Sequence, residues 1–120
     1  MARILVVEDD TLTAAALSLF LRNLGHEVRK AGSVGEARAA AAGGIDLLLS
    51  DLSLPDGSAD ELAACLKVPA IALSGMDREE DRLRSRRAGF SVHMVKPVDL
   101  DALEAEVRRA LSAPVDPRPR

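Results

Sequence analysis

The chain contains no tryptophan and no tyrosine, and its only aromatic residues are Phe20 and Phe90. Base-stacking platforms and aromatic binding belts are thereby nearly excluded. A single cysteine, Cys65, rules out a disulfide framework and favours a reducing compartment, so a cytoplasmic location is expected. No apolar run approaches the roughly 20 residues of a membrane span, and no membrane partner is expected. The start lacks the charged-then-apolar pattern of an export signal, because Met1-Ala2-Arg3 runs straight into Ile4-Leu5-Val6-Val7. A basic excess is also missing. Lys plus Arg number 16 against 19 Asp plus Glu, a formal charge of −3, which argues against direct nucleic-acid binding.

What is present suits one domain with a real core. The chain has 120 residues, 48% of them apolar, and at this size roughly two thirds of the unfolded surface can be buried. Five runs read as strands: 4–7, 27–31, 45–49, 70–73 and 92–95. Between them lie stretches of helical period. Leu12, Ala16, Leu19, Phe20 and Leu24 recur at helical spacing before Gly25 stops the first helix. Ser33 with Glu36 forms a capping box for the second, which ends at Gly43-Gly44. The third is short, about 60–66, ahead of Pro69. Asp77 with Glu80 repeats the capping logic for the fourth, stopped by Gly89. Asp99 opens the fifth, with Leu100, Leu103, Val107 and Leu111 on one face.

A strand followed by a helix, five times over, predicts an α/β fold with a parallel five-stranded sheet and helices on both faces. The first and third strands are the most continuously apolar, as central strands should be. The second mixes in Glu27, Arg29 and Lys30, which suits an edge. The order 2-1-3-4-5 satisfies these constraints and places a ligand site at the carboxyl ends of the strands. The domain is expected over 1–113. Residues 114–120, with three prolines, read as an extended tail.

That topology gathers polar residues on one rim: Glu8-Asp9-Asp10 after the first strand, Asp51 after the third, Ser74-Gly75 after the fourth and Lys96-Pro97 after the fifth. Two like charges at 4 Å cost about 4 kcal/mol at an effective dielectric of 20. Glu8, Asp9 and Asp51 together therefore call for altered protonation or a cation. Lys96 supplies one charge. An all-oxygen set without His or Cys points to Mg²⁺ rather than zinc. A carboxylate beside Mg²⁺ and an ammonium is a candidate phosphoryl acceptor, with Ser74 as a hydrogen-bond donor to the same oxygens. Pro97 holds Lys96 out of helical geometry.

Taken together, Ile4-Leu5-Val6-Val7-Glu8-Asp9-Asp10, Asp51 with Pro55 four residues on, Ser74-Gly75 and Lys96-Pro97 resemble the receiver domain of two-component response regulators. The likeness covers roughly residues 2–112. It implies a flavodoxin-like (βα)5 fold and phosphorelay signalling, with phosphorylation on aspartate by a histidine kinase or histidine phosphotransfer protein. By position it implies Asp51 as acceptor, Asp9 and Asp51 as Mg²⁺ ligands and Glu8 as a ligand through water. It also implies the Ser53 backbone carbonyl as a further metal ligand, Lys96 as phosphoryl contact and Ser74 as switch hydroxyl. A cis Lys96–Pro97 bond belongs to the same pattern. Such a domain is a regulatory phosphoacceptor rather than an enzyme and passes its state to a downstream protein target. It does so through the fourth helix, fifth strand and fifth helix.

Two departures stand out. His93 occupies the switch position where the family commonly carries Phe or Tyr, a substitution familiar in receivers fused to hybrid sensor kinases. The run 68–75, then Ala88-Gly89-Phe90 and 93–98, resembles those receivers more than DNA-binding regulators. The interval from Asp51 to Ser74 is also short, so the third helix should be a stub.

Other residues have plainer readings. Asp10 caps the first helix, Cys65 is a small buried helix residue, and His26 lies in a turn. The arginines at 78, 82, 84, 86 and 87 form a solvated helix face. A haloacid-dehalogenase-like phosphohydrolase would need a second acid where Ser53 stands, and would place its acidic pair last in the chain. A binding module that had lost the switch would not keep every site position filled. The nearness of Met1 to the first strand suggests a natural start, and a receiver cut from a longer hybrid kinase is the alternative.

Overall fold

Successive residues of a strand face opposite sides, and this sequence loads both sides with apolar groups. The structure, a computed structural model, describes residues 2–75 and 78–112. The expected tail at 114–120 and the expected cap Asp77 lie outside the described residues. In chain order the elements are β1 (Arg3–Val7), α1 (Thr11–Asn23), β2 (Glu27–Ala31) and α2 (Val34–Ala40), the last extended by a 3-10 turn at Ala41–Gly43. There follow β3 (Leu47–Asp51), β4 (Ser53–Leu54), β5 (Gly57–Ser58), α3 (Asp60–Leu66), β6 (Ala70–Ser74), α4 (Glu79–Ala88), β7 (Val92–Val95) and α5 (Leu100–Ser112).

The main sheet is parallel with order β2-β1-β3-β6-β7. This is the expected 2-1-3-4-5 once the two-residue strands β4 and β5 are set aside. Those two form a separate antiparallel hairpin, Ser53 opposite Ser58 and Leu54 opposite Gly57, which periodicity could not reveal in so short a stretch. The third strand lies two residues later than its apolar run suggested. Asp46 is used instead at the strand entrance, where its carboxylate accepts from the Arg3 N–H at 2.8 Å. Pairing with β6 then carries the ladder on to Asp51.

Two cores result, one on each face of the sheet. Ile4, Val6, Leu47, Leu49, Ile71 and Leu73 pack against Leu17 and Leu21 of α1 and Leu103 and Val107 of α5. Leu5, Val7, Leu48, Ala70 and Ala72 pack against Ala37 of α2 and Leu62 and Ala63 of α3. The central strands β3 and β6 are buried at every residue, whereas β2 buries only Val28 and Ala31. That contrast is the expected one between covered and edge strands.

Helix ends follow the sequence closely. Asp10, Ser33 and Asp99 accept backbone N–H groups at the starts of α1, α2 and α5, and Gly89 stops α4 with φ of 105°. Asp56 adds a second clasp: its carboxylate accepts from the Val34 and Gly35 N–H groups at 2.8 and 3.1 Å, tying the hairpin to α2. At the start of α4 the residue before the first helical turn is Arg78, whose own side chain makes no capping bond.

Two packing expectations are corrected. On α1, Leu12 and Leu19 are 79% and 61% exposed and Leu24 is also exposed, while Ala14, Leu17, Ser18 and Leu21 face the sheet. The helix carries Ala and Leu nearly all round, so two stripes of the same period compete, and the sheet takes the one with Leu17 and Leu21. On α3, Cys65 is exposed rather than buried, because Leu62 and Ala63 provide the inner face.

The burial pattern of α1 has a direct consequence. Leu21→Ala should cost about 2–5 kcal/mol of unfolding free energy, and Leu12→Ala no more than about 0.5 kcal/mol. Urea denaturation of the two variants measures this, and the reverse ranking would contradict the packing described.

Candidate functional site

The carboxyl ends of β1, β3, β6 and β7 share one rim, and the polar residues that follow each strand meet there. Glu8 leaves β1 with its N–H bonded to the Ala31 carbonyl at 2.9 Å. The residue is 2% exposed, and its side-chain Oε2 accepts from the Asp10 N–H at 3.1 Å. Asp9 faces solvent. Asp51 ends β3 and is 6% exposed. Lys96 follows β7, its N–H donating to the Ser74 carbonyl at 2.8 Å. The Lys96–Pro97 bond is cis.

The Lys96 ammonium lies 2.8 Å from Glu8 Oε1 and 2.7 Å from Asp51 Oδ1, bridging two buried carboxylates. Apart from that ammonium, those two oxygens are buried without a hydrogen-bond donor among the described residues. One carboxylate oxygen from each of Glu8, Asp9 and Asp51 lies within 4.8 Å of the others. Burial is the largest influence on all three members of the Lys96 cluster. It pushes Asp51 up to about 7, helped by the hydrogen bond and charge of Glu8 and opposed by Lys96. Burial also pushes Glu8 up, but hydrogen bonds to Lys96, Asp51 and the Asp10 N–H outweigh it and leave Glu8 below the usual glutamate range. Lys96 is pushed down by burial and held above its ordinary value by the two acids.

Three carboxylates against one ammonium leave the cluster short of positive charge. The candidate ligands are all oxygen, and two of them are buried with only the Lys96 ammonium against them, so the residues fit a hard divalent ion such as Mg²⁺. Ser74 ends β6, buried, opposite Val95 in register. Ser53 is exposed at the start of the hairpin, two residues past Asp51. His93 is half-buried on β7 with Nδ1 3.1 Å from Ser85 Oγ on α4. Glu8, Asp9, Asp51 and Lys96 thus come together directly, Ser74 joins their rim through strand register, and His93 is bonded to α4.

Two residues of α4 escaped the sequence reading. Arg84, read as part of a solvated face, is half-buried and donates from Nη2 to the Leu52 carbonyl at 3.0 Å. Ser85 is 2% exposed. Nothing in a helix composed mainly of charged residues marks one arginine or one serine as inward-facing.

Residues 4–108 match the response regulator receiver domain. This chain belongs to the receiver-domain family. It is 35% identical over 122 residues to an uncharacterised 14.6 kDa protein of Leptolyngbya boryana, covering 94% of this chain and 93% of that protein. It is 33% identical over 116 residues to the KDP operon transcriptional regulatory protein KdpE of Escherichia coli, covering 92% of this chain and 52% of KdpE. The chain therefore spans nearly all of the first relative and about half of the second. The receiver domain of a CheY-like response regulator from Methanospirillum hungatei superposes with a TM-score of 0.85 at 29% identity, covering 92% of this chain and 94% of that one. The fold is thus the flavodoxin-like receiver fold. Receiver domains typically bind Mg²⁺ at an acidic pocket, and this chain carries an acidic cluster of Glu8, Asp9 and Asp51. As a family they work with histidine kinases and downstream targets.

The protonation of Asp51 gives the receiver a distinctive pH response. An aspartate near 3.8 when unfolded and about 7 when folded retains a proton across that window. The folded state then binds more protons than the unfolded one, so metal-free stability falls as pH rises from about 4 to about 7. Glu8, held low, acts only below its ordinary value of 4.5. Urea denaturation in chelator at pH 5 and pH 8 should show wild type losing more stability than Asp51→Asn. An equal loss in both would contradict the assignment.

Proposed function

We propose that this receiver takes a phosphoryl group from a phosphohistidine onto Asp51, and that the change in charge there alters the surface made by α4, β7 and α5. The observation that carries the reading is the Lys96 ammonium within 3 Å of both Glu8 and Asp51 at the sheet rim. It neutralises charge where a phosphoryl group would otherwise meet three carboxylates. Asp9, Asp51 and the Ser53 backbone carbonyl would hold Mg²⁺ directly, with Glu8 acting through water. When bound, Mg²⁺ supplies charge neutralisation for the phosphoryl oxygens.

In the transfer, an Asp51 carboxylate oxygen forms a bond to phosphorus as the phosphorus–nitrogen bond of the donor breaks. The imidazole leaves with the electron pair and takes a proton from water. Lys96 contacts the transferred oxygens, and the Ser74 hydroxyl donates to them. Movement of Ser74 toward the new group gives His93 room to turn inward, a shift between two packings limited by their difference in contacts.

The donor is a histidine kinase or histidine phosphotransfer protein, and the output goes to a protein target in the cytoplasm, without direct contact to nucleic acid. Domain boundaries of 1–113 and a tail at 114–120 complete the reading. The domain assists its own phosphorylation and slow dephosphorylation but is not a turnover enzyme. Ser53 stands where a haloacid-dehalogenase-like phosphohydrolase would need its second acid.

Incubation with a small-molecule phosphodonor and Mg²⁺, read by intact-mass spectrometry, tests the acceptor. Wild type should gain one labile phosphate and Asp51→Asn none. Equal gain by the two proteins would overturn the role given to Asp51.

A further inference from the structure

Arg84 connects α4 to the segment that leaves the acceptor strand. Its Nη2 donates to the Leu52 carbonyl at 3.0 Å, a bond across 32 positions of sequence. The same carbonyl accepts from the Ala59 N–H at 3.1 Å, and the Leu52 N–H donates to the Leu73 carbonyl of β6 at 3.1 Å. The Leu52 side chain is itself buried. The residue between Asp51 and Ser53 is therefore tied to β6, to the end of the hairpin and to α4.

The next residue along α4 makes the matching contact on the other side. Ser85 Oγ donates to the Arg82 carbonyl at 3.0 Å and lies within hydrogen-bond distance of His93 Nδ1, at 3.1 Å. His93 precedes Lys96 by three residues on the same chain segment. Adjacent residues of one helix thus hold the segment following Asp51 and the strand leading to Lys96. Arg86 and Arg87, by contrast, are exposed.

We propose that Arg84 is a positioning residue of the acceptor site, an inference that rests on Asp51 being the phosphoacceptor. Its bond to Leu52 fixes the turn that aims the Asp51 carboxylate and the Ser53 carbonyl, and makes their placement depend on where α4 sits. The long planar guanidinium suits this task, since it spans the gap from the helix and donates in a fixed direction. A partner that moves α4 would then alter phosphate uptake, and phosphate uptake would alter the partner's affinity, because coupling between two binding events is reciprocal.

Arg84→Met keeps the apolar stem and removes the donor, whereas Arg84→Lys keeps a donor of shorter reach. Initial rates of phosphate uptake from acetyl phosphate with Mg²⁺ are measured for both, beside wild type and Asp51→Asn. Circular dichroism gives the folded fraction, and amide hydrogen exchange is followed over residues 52–59. The Met variant should be slower by about threefold to tenfold, the effect of losing one hydrogen bond, with the Lys variant in between. Exchange should quicken over 52–59 while β1 and β3 stay protected.

Wild-type rates in both variants would overturn the proposal, as would a loss no larger than the fall in folded fraction. Where Arg84→Met fails to fold, Arg84→Lys decides: a reduced rate supports the role and an unchanged rate overturns it. Uptake by Asp51→Asn at the wild-type rate would instead sink the acceptor assignment, and the role of Arg84 with it.

Discussion

One ammonium between two buried carboxylates is the contact on which the site depends. Removing Lys96 would leave Glu8 and Asp51 facing each other in a poorly solvated rim, an arrangement costly enough to force protonation or rearrangement. With Lys96 in place the cluster still carries more negative than positive charge. In the proposed function that residual imbalance is what a divalent cation would offset before a phosphoryl group enters. The fold serves this contact: three separate strand ends, from β1, β3 and β7, must stop at the same height for Glu8, Asp51 and Lys96 to touch.

The sheet achieves this through ordinary packing. Parallel strands in register, buried on both faces, fix the heights of their ends to within a residue. Burial also removes water from the site, which strengthens every charge interaction there. The apolar runs that build the two cores therefore set the electrostatics of the rim as well. Behind the rim, α4 holds both the Leu52 carbonyl and, through Ser85, the His93 ring. One helix thus contacts both the segment after Asp51 and the β7 strand, the two regions that the proposed function links.

Much of this was legible in the sequence. The order of strands followed from apolar runs and one mixed edge, and the site followed from asking which residues end each strand. Glu8, Asp51 and Lys96 could be named because charged residues that end neighbouring parallel strands must crowd onto one rim, where their fields act on each other. What stayed hidden depended on choices that pattern does not decide. Helix α1 has apolar residues around its circumference, so Leu12 and Leu19 looked as fit for the core as Leu17 and Leu21. The hairpin at β4 and β5 is too short for periodicity, and Asp56 acts across 21 and 22 positions onto Gly35 and Val34. Arg84 sits among other arginines, and only the three-dimensional path of the Leu52 carbonyl singles it out.

Chemical trapping of the phosphorylated residue is the most direct test. Protein treated with acetyl phosphate and Mg²⁺ is reduced with borohydride, which converts an acyl phosphate at aspartate into a stable alcohol, and the modified peptide is sequenced by mass spectrometry. The account predicts the mark at residue 51. A mark at Asp9 or any other residue, or none at all, would contradict it.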